Sequence, residues 1–178
     1  MIFKNILAID PSGNFEEGKG TTGACIYDIQ NHEVIEIFTI QAVNFTSKED
    51  YWQAHLDRIL VMRRHYKDLI VVMEDFMLDP NRAMQQSYSK METPKLIGIV
   101  QNFCYARQVP YFMQRAAEVK KRWSDKILLH KEIIQKVKHN YYLNDSHDLV
   151  NGHCRDAIRH AVHFAYFRNK EETNVRLK

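Results

Sequence analysis

Phe3-Lys4-Asn5-Ile6-Leu7-Ala8-Ile9-Asp10-Pro11-Ser12-Gly13 is the stretch from which the rest of the chain is read. Ile6 to Ile9 are apolar without alternation, which predicts a strand over residues 3–10 covered on both faces. Pro11 lacks an amide donor and Gly13 tolerates a tight turn, so the ladder stops there. The strand therefore delivers one carboxylate, Asp10, to its C-terminal edge. A carboxylate so placed costs desolvation unless something positive meets it.

A second apolar run has the same design. Leu69-Ile70-Val71-Val72-Met73 also ends in acids, Glu74 and Asp75. Adjacent strand residues face opposite sides, so Glu74 and Asp75 diverge. Two buried strands thus hand an acid to what can be one rim.

Around these runs the periodicity predicts an α/β chain. Thr21 to Asp28 and Glu33 to Gln41 read as strands that form an antiparallel meander with the first, the third nearest an edge. Residues 11–20 are a glycine-rich charged loop. A helix is expected from Lys48 to Tyr66, with Trp52, Leu56, Ile59 and Leu60 at helical spacing. Residues 78–91 read as a polar connection. Thr93-Pro94 opens a helix to Arg107, since proline suits the first turn. Val109 to Gln114 is a short strand, Leu129 to His139 a helix, Tyr141 to Asn151 a polar mobile stretch, and His153 to Arg168 the last helix. The expected order is β-β-β-α-β-α-β-α with further helix, an antiparallel portion joined to parallel crossovers. No repeat or linker divides residues 1–178, so one domain is expected.

Bulk properties exclude several classes. The chain has 178 residues, 45% hydrophobic and 26% charged, which suits one globular domain. The net charge of +3 permits a nucleic-acid partner without demonstrating one. Cys25, Cys104 and Cys154 form no CxxC pair, which argues against disulfides and structural zinc and favours a reducing cytoplasm. No signal peptide and no membrane-length apolar run are visible.

The chemistry-bearing set is Asp10, Glu74, His153 and Asp156. His153 and Asp156 are three apart and project from one helix face. Such groups around one point make an oxygen-rich site for a hard divalent cation, Mg²⁺ or Mn²⁺. Two such ions, about 4 Å apart, activate a water and stabilise the leaving oxygen of a phosphodiester. Each residue also has a plainer reading. Asp10 alone could form a turn, Asp156 could answer the helix dipole, and His153 could merely sit at a helix end. Pairing Asp10 with Glu74 favours function, because buried carboxylates need partners. His160 and His163 continue the helix side and read as a solvated or boundary face. Lys120, Lys121, Arg122 and Lys126 read as a charged surface, where Trp123 adds the possibility of stacking against nucleic acid. Cys154 receives no role.

Ile-Leu-Ala-Ile-Asp10-Pro-Ser, then Thr22-Gly23, Val-Val-Met-Glu74 and His153-x-x-Asp156-Ala157 together resemble the RuvC Holliday-junction resolvases of the RNase H-like superfamily. The resemblance runs from residue 3 to 168. It includes Thr93 to Arg107 and two lysines, Lys120 and Lys131, spaced eleven apart like two basic active-site residues of the bacterial family. It implies an RNase H-like fold with a mixed five-stranded sheet, the first three strands antiparallel and the rest parallel, flanked by helices. It also implies a homodimeric, Mg²⁺- or Mn²⁺-dependent endodeoxyribonuclease that nicks four-way or other branched DNA in pairs. Asp10, Glu74 and Asp156 would be metal ligands, and His153 a ligand or an aid to water activation. Lys131 would join the catalytic groups, while Lys120, Lys121, Arg122, Lys131 and Phe76 would contact DNA.

The pattern departs from the bacterial one at three points. The turn reads Asp-Pro-Ser-Gly rather than Asp-Pro-Gly-Ser before a longer loop. His153 stands where many members carry Asp. Phe76 lies two residues beyond the glutamate rather than three. The longer loop resembles phage-type members. The helix from Thr93 offers Leu96, Ile99, Val100 and Phe103 as a dimer face.

Two other classes compete. A non-catalytic nucleic-acid-binding module on the same fold would not need all three acids. Gly18-Lys19-Gly20-Thr21-Thr22-Gly23 is similar to the phosphate loop of actin-like ATP-binding proteins, which have two lobes where this length supplies one.

Overall fold

A computed structural model describes residues 3–77, 91–144 and 146–169. The expected polar connection over 78–91 lies outside those residues except for Met91.

Five strands form the main sheet: β1 (Asn5–Asp10), β2 (Thr21–Asp28), β3 (Glu33–Gln41), β4 (Leu69–Asp75) and β5 (Tyr111–Arg115). Their order is β3-β2-β1-β4-β5, so β1 is central and β3 lies at an edge, as its alternation predicts. β1 pairs antiparallel with β2 and parallel with β4, and β4 pairs parallel with β5. This is the expected mixed sheet, antiparallel first and parallel after.

Both faces of β1 and β4 are covered, which is why their apolar runs do not alternate. Leu7, Ile9, Val71 and Met73 face α1 (Lys48–His65) and α2 (Glu92–Ala106). Ile6, Ala8, Ile70 and Val72 face the opposite layer, built on α5 (Gly152–His163). Each buried Leu, Ile or Val contributes roughly 1.5–3 kcal/mol relative to exposure, so both faces are strongly held. The period of two then assigns the acids. Asp10 shares parity with Ile6 and Ala8, and Glu74 with Ile70 and Val72, so both point to the α5 side.

α2 turns Leu96 and Val100 into the core and leaves Ile99 and Tyr105 exposed. Leu96 and Val100 are thus unavailable to an interface, which corrects part of the expected dimer face.

Residues 116–150 depart most from expectation. Two short helices, α3 (Ala116–Arg122) and α4 (Asp125–His130), precede a small antiparallel sheet of β6 (Ile134–Val137), β7 (Asn140–Leu143) and β8 (Leu149–Val150). The helix expected over Leu129–His139 therefore ends at His130, and the expected mobile stretch from Tyr141 contains two strands. Glu132 and Lys138 adopt left-handed backbone angles, φ 56° at each, which break the helical path. Ile134 and Leu143 pair across the new sheet, and both are buried. Tertiary burial outweighs the helical spacing of Leu129, Ile133 and Val137.

α5 begins one residue before His153, where the Asn151 side chain caps it by accepting from the Cys154 amide at 2.8 Å. It runs on into a π-helical turn, Phe164–Arg168. Among the described residues, no helix is long and apolar enough to cross a membrane.

Candidate functional site

The site begins with one glycine. In β2, Gly23 pairs with Asp10, and a Cβ there would stand 2.2 Å from the His153 carbonyl carbon. Real Cβ atoms do not approach that closely, so glycine is what lets the start of α5 rest on the strand. Resting there brings the His153 Nδ1 to 2.8 Å from the Asp10 carboxylate.

The turn after Asp10 is clamped from three sides. The Ser12 amide donates to Thr22 Oγ1 (2.9 Å), the Gly13 amide to Thr93 Oγ1 (3.0 Å) and the Phe15 amide to the Glu92 carboxylate (2.9 Å). Trp52 Nε1–H donates to the Gly13 carbonyl at 3.0 Å. Buried His55 supports the same turn. Its Nδ1–H donates to the Tyr51 carbonyl and its Nε2 accepts from the Thr22 hydroxyl, both at 2.8 Å. Burial keeps His55 neutral by lowering its pKa to about 4. The amides of Gly18 and Lys19 are likewise spent, on the Phe15 and Glu16 carbonyls, and Thr21 to Gly23 lie inside β2. A phosphate loop needs free amides, so the pairing of these two amides counts against the actin-like reading of residues 18–23.

One face of α5 supplies the other side of the site. His153, Asp156, His160 and His163 recur at steps of three, four and three, the spacing of a single helical stripe. His153 meets Asp10. Asp156 Oδ2 lies 2.9 Å from Lys120 Nζ, which also stands 3.9 Å from Glu74. His160 Nε2 lies 3.2 Å from Glu74, and its Nδ1 lies 2.9 Å from the Gln114 side-chain carbonyl. Arg159 pairs with Asp156 and with Asp125 at the start of α4. The histidine stripe is therefore buried at His160 and His163 rather than solvated, because the sheet edge and α3 close over it.

Electrostatics bind these groups into one cluster. The Asp10 carboxyl is raised to about 6, chiefly by burial and further by the charges of Glu74 and Asp156, against the hydrogen bond from His153. Burial works against the Lys120 ammonium, but its hydrogen bond to Asp156 and the charges of Glu74, Asp156 and Asp10 outweigh it and raise its pKa. Three acids and one lysine leave a net negative centre. That carboxylate and imidazole donor set fits a hard divalent cation in chemistry. Among the described residues, no three such donors converge as a formed ligand group, and the Lys120 ammonium bridges Glu74 and Asp156 instead.

The remaining predicted residues lie elsewhere. Lys131 is not brought to the carboxylates: its Nζ sits 5.8 Å over the Tyr166 ring, and Tyr166 also meets His32 beyond the Asp28 end of β2. Asp28 pairs with Asn5, at the opposite end of β1 from Asp10. Arg122 covers Phe167, and Lys121 is exposed. Trp123 is buried against Tyr166 and Phe167, so it offers no ring for stacking on nucleic acid. Phe76 follows β4 half-buried. Cys154 is buried, and burial above all pushes its thiol up, in keeping with no nucleophilic role.

No family model and no curated protein matches the sequence. Solved structures do match. Thermus thermophilus RuvC in complex with a Holliday junction substrate superposes with a TM-score of 0.67 at 12% identity, covering 94% of this chain and 96% of that one. A second Thermus thermophilus RuvC structure gives 0.62 at 13% identity over the same shares. The chain has the RuvC fold. In that RuvC fold, Asp10 and Glu74 end neighbouring parallel strands and Asp156 rises from the helix packed across them. His160, Gln114, Arg159 and Asp125 were missed by the sequence reading. Only His160 left a signal there, the continued stripe on α5.

Proposed function

We propose that this chain is a metal-dependent, structure-selective endodeoxyribonuclease that resolves four-way junctions by paired phosphodiester hydrolysis. The observation that carries the reading is the gathering of Asp10, Glu74 and Asp156 from three separate elements around Lys120, at the strand ends of a RuvC fold. Structural elements have no need to collect three acids at one edge, where burial first and then the charges of Glu74 and Asp156 raise the Asp10 carboxyl.

Asp10, Glu74, Asp156 and His153 would hold one or two Mg²⁺ or Mn²⁺ ions, which when bound supply Lewis acidity and an activated water. His153 is half exposed, so it can leave Asp10 and turn towards an ion or a water. Lys120 already answers two of the acids and is placed to trade them for a phosphate oxygen. Lys121, Arg122, Lys131 and Phe76 are the proposed DNA contacts, with Lys131 acting outside the carboxylate cluster. Paired nicking needs two copies, and the exposed side of α2, with Ile99 and Tyr105, is the proposed contact between them.

The test is a labelled four-way junction incubated with the protein in Mg²⁺ or Mn²⁺, beside linear duplex and a flap, with Asp10→Asn as control. Paired nicks lost in the variant are the expected result. Tight binding without cleavage in either metal would replace the enzyme by a binding module. Light scattering that gives one chain's mass at working concentration would end the dimer reading.

A further inference from the structure

We infer that His160 is a positioning residue that fixes the Glu74 carboxylate through a buried Gln114–His160–Glu74 chain of hydrogen bonds. The inference rests on the proposed metal site and assigns that site a support on the α5 helix.

The geometry is specific. His160 is fully buried, with 0% of its side chain exposed. One ring nitrogen meets Glu74 and the other meets Gln114, so neither nitrogen is left to solvent. Glu74 and Gln114 are cross-strand neighbours in the parallel β4–β5 register, on the face turned to α5. The helix therefore places one imidazole between two adjacent strands. An ionised carboxylate only accepts, so the Nε2 facing Glu74 carries a proton. With the Gln114 carbonyl towards Nδ1, the ring donates at both nitrogens. With the amide turned over, Nδ1 accepts from the Gln114 amide instead, whose nitrogen otherwise has no partner. In both arrangements Nε2–H donates to Glu74.

That donor and the Lys120 ammonium both meet the same Glu74 oxygen, Oε2, at 3.2 Å and 3.9 Å, so the carboxylate is held between the helix and the lysine. Glutamate has three side-chain torsions, and fixing them before an ion arrives removes an ordering cost from binding. Outer partners of this kind are worth about 10–100-fold in metal affinity.

The experiment uses the full chain. Histidine side-chain ¹⁵N–¹H spectra of the wild type, followed through a Mg²⁺ titration, should show His160 protonated at Nε2 and shifting as Mg²⁺ is added. A His160 that lacks the Nε2 proton, or ignores Mg²⁺ while Asp10 and Glu74 respond, would overturn the inference. Mn²⁺ uptake, read from the resonance of the free ion, is then compared for wild type, His160→Phe and His160→Gln. We expect about 10–100-fold weaker uptake in His160→Phe and partial recovery in His160→Gln, whose amide can still donate. Junction binding in EDTA should be unchanged in both. Wild-type Mn²⁺ affinity in His160→Phe would make the residue packing only. A parent chain that takes up no Mn²⁺ would bring down the metal reading itself, and this inference with it. Should His160→Phe fail to fold, His160→Gln and the wild-type spectra decide alone.

Discussion

Asp10 and Glu74 are built alike and held differently. Each ends a buried strand, each lies on the face turned to α5, and each receives a histidine from that helix. The Asp10 partner, His153, has 51% of its side chain exposed, while the Glu74 partner, His160, has none exposed. Asp10 itself is the more enclosed acid, 14% against 23%. One carboxylate is thus the more enclosed and has an exposed partner, the other is more open and has a buried one. On the proposed reading the contrast separates two duties within one site: His160 would belong to the scaffold, and His153 would exchange partners.

The largest expected effect tests whether the acids act together. Asp10→Asn or Glu74→Gln should each reduce junction cleavage by more than the roughly 100-fold that loss of an outer-shell partner costs, with junction binding in EDTA retained. Equal cleavage in Asp10→Asn and the parent would leave Asp10 as a turn former.

Next, the two histidines should part in stability. His160→Ala opens a buried space and strands two hydrogen-bond partners, an expected loss of about 2–5 kcal/mol by urea unfolding. His153→Ala removes an exposed ring and should fall within about 0.5 kcal/mol of the parent. Equal losses would erase the contrast.

A third test uses pH. Folding raises the Asp10 carboxyl from 3.8 to about 6, so between those values the folded chain binds more protons than the unfolded one. Stability therefore falls as pH rises through that window, by about 3 kcal/mol in total, and the penalty is complete above pH 6. Asp10→Asn lacks it. The variant should melt higher than the parent at pH 7.5 in EDTA, on the order of 5–10 °C, with the gap closing near pH 4. His55 has the opposite sign. Its pKa falls to about 4 on folding, so its contribution is present above 6.5 and lost as pH drops towards 4. The two effects offset each other in the parent, so Asp10→Asn should steepen the stability gain between pH 4 and 6.5. An identical pH profile in both proteins would show that Asp10 is not strained.

The smallest effect probes the seam on which α5 rests. Gly23→Ala forces a Cβ against the His153 backbone. Overpacking there should cost about 1–3 kcal/mol and weaken cleavage more than it weakens junction binding. Unaltered cleavage would mean that the helix end can move without disturbing the site.

Much of this was legible in the chain because the informative residues sit on regular elements. Eight apolar positions in β1 and β4, Ile6 to Ile9 and Ile70 to Met73, alternate between two covered faces, and their parity alone sends Asp10 and Glu74 to the same side. The boundaries of β2 and β3 and the edge position of β3 follow from composition and alternation in the same way. Residues 129–150 were misread because their apolar spacing suits a helix, while burial of Ile134 against Leu143 in a second sheet decides otherwise. Local periodicity carries no information about such a distant partner.

The sequence by itself determined which acids reach the rim, since strand parity and the stripe on α5 are local geometry. Only the tertiary structure decided what each acid meets there. Lys120 bridges Glu74 and Asp156, and His160 is sealed between Glu74 and Gln114, because α3, β5 and α5 pack together at one sheet edge. Lys131 is carried to the opposite end of β1 by the same packing. Pairings between residues far apart in sequence depend on how elements dock, and docking depends on the burial of whole faces rather than on the residues that end up in contact.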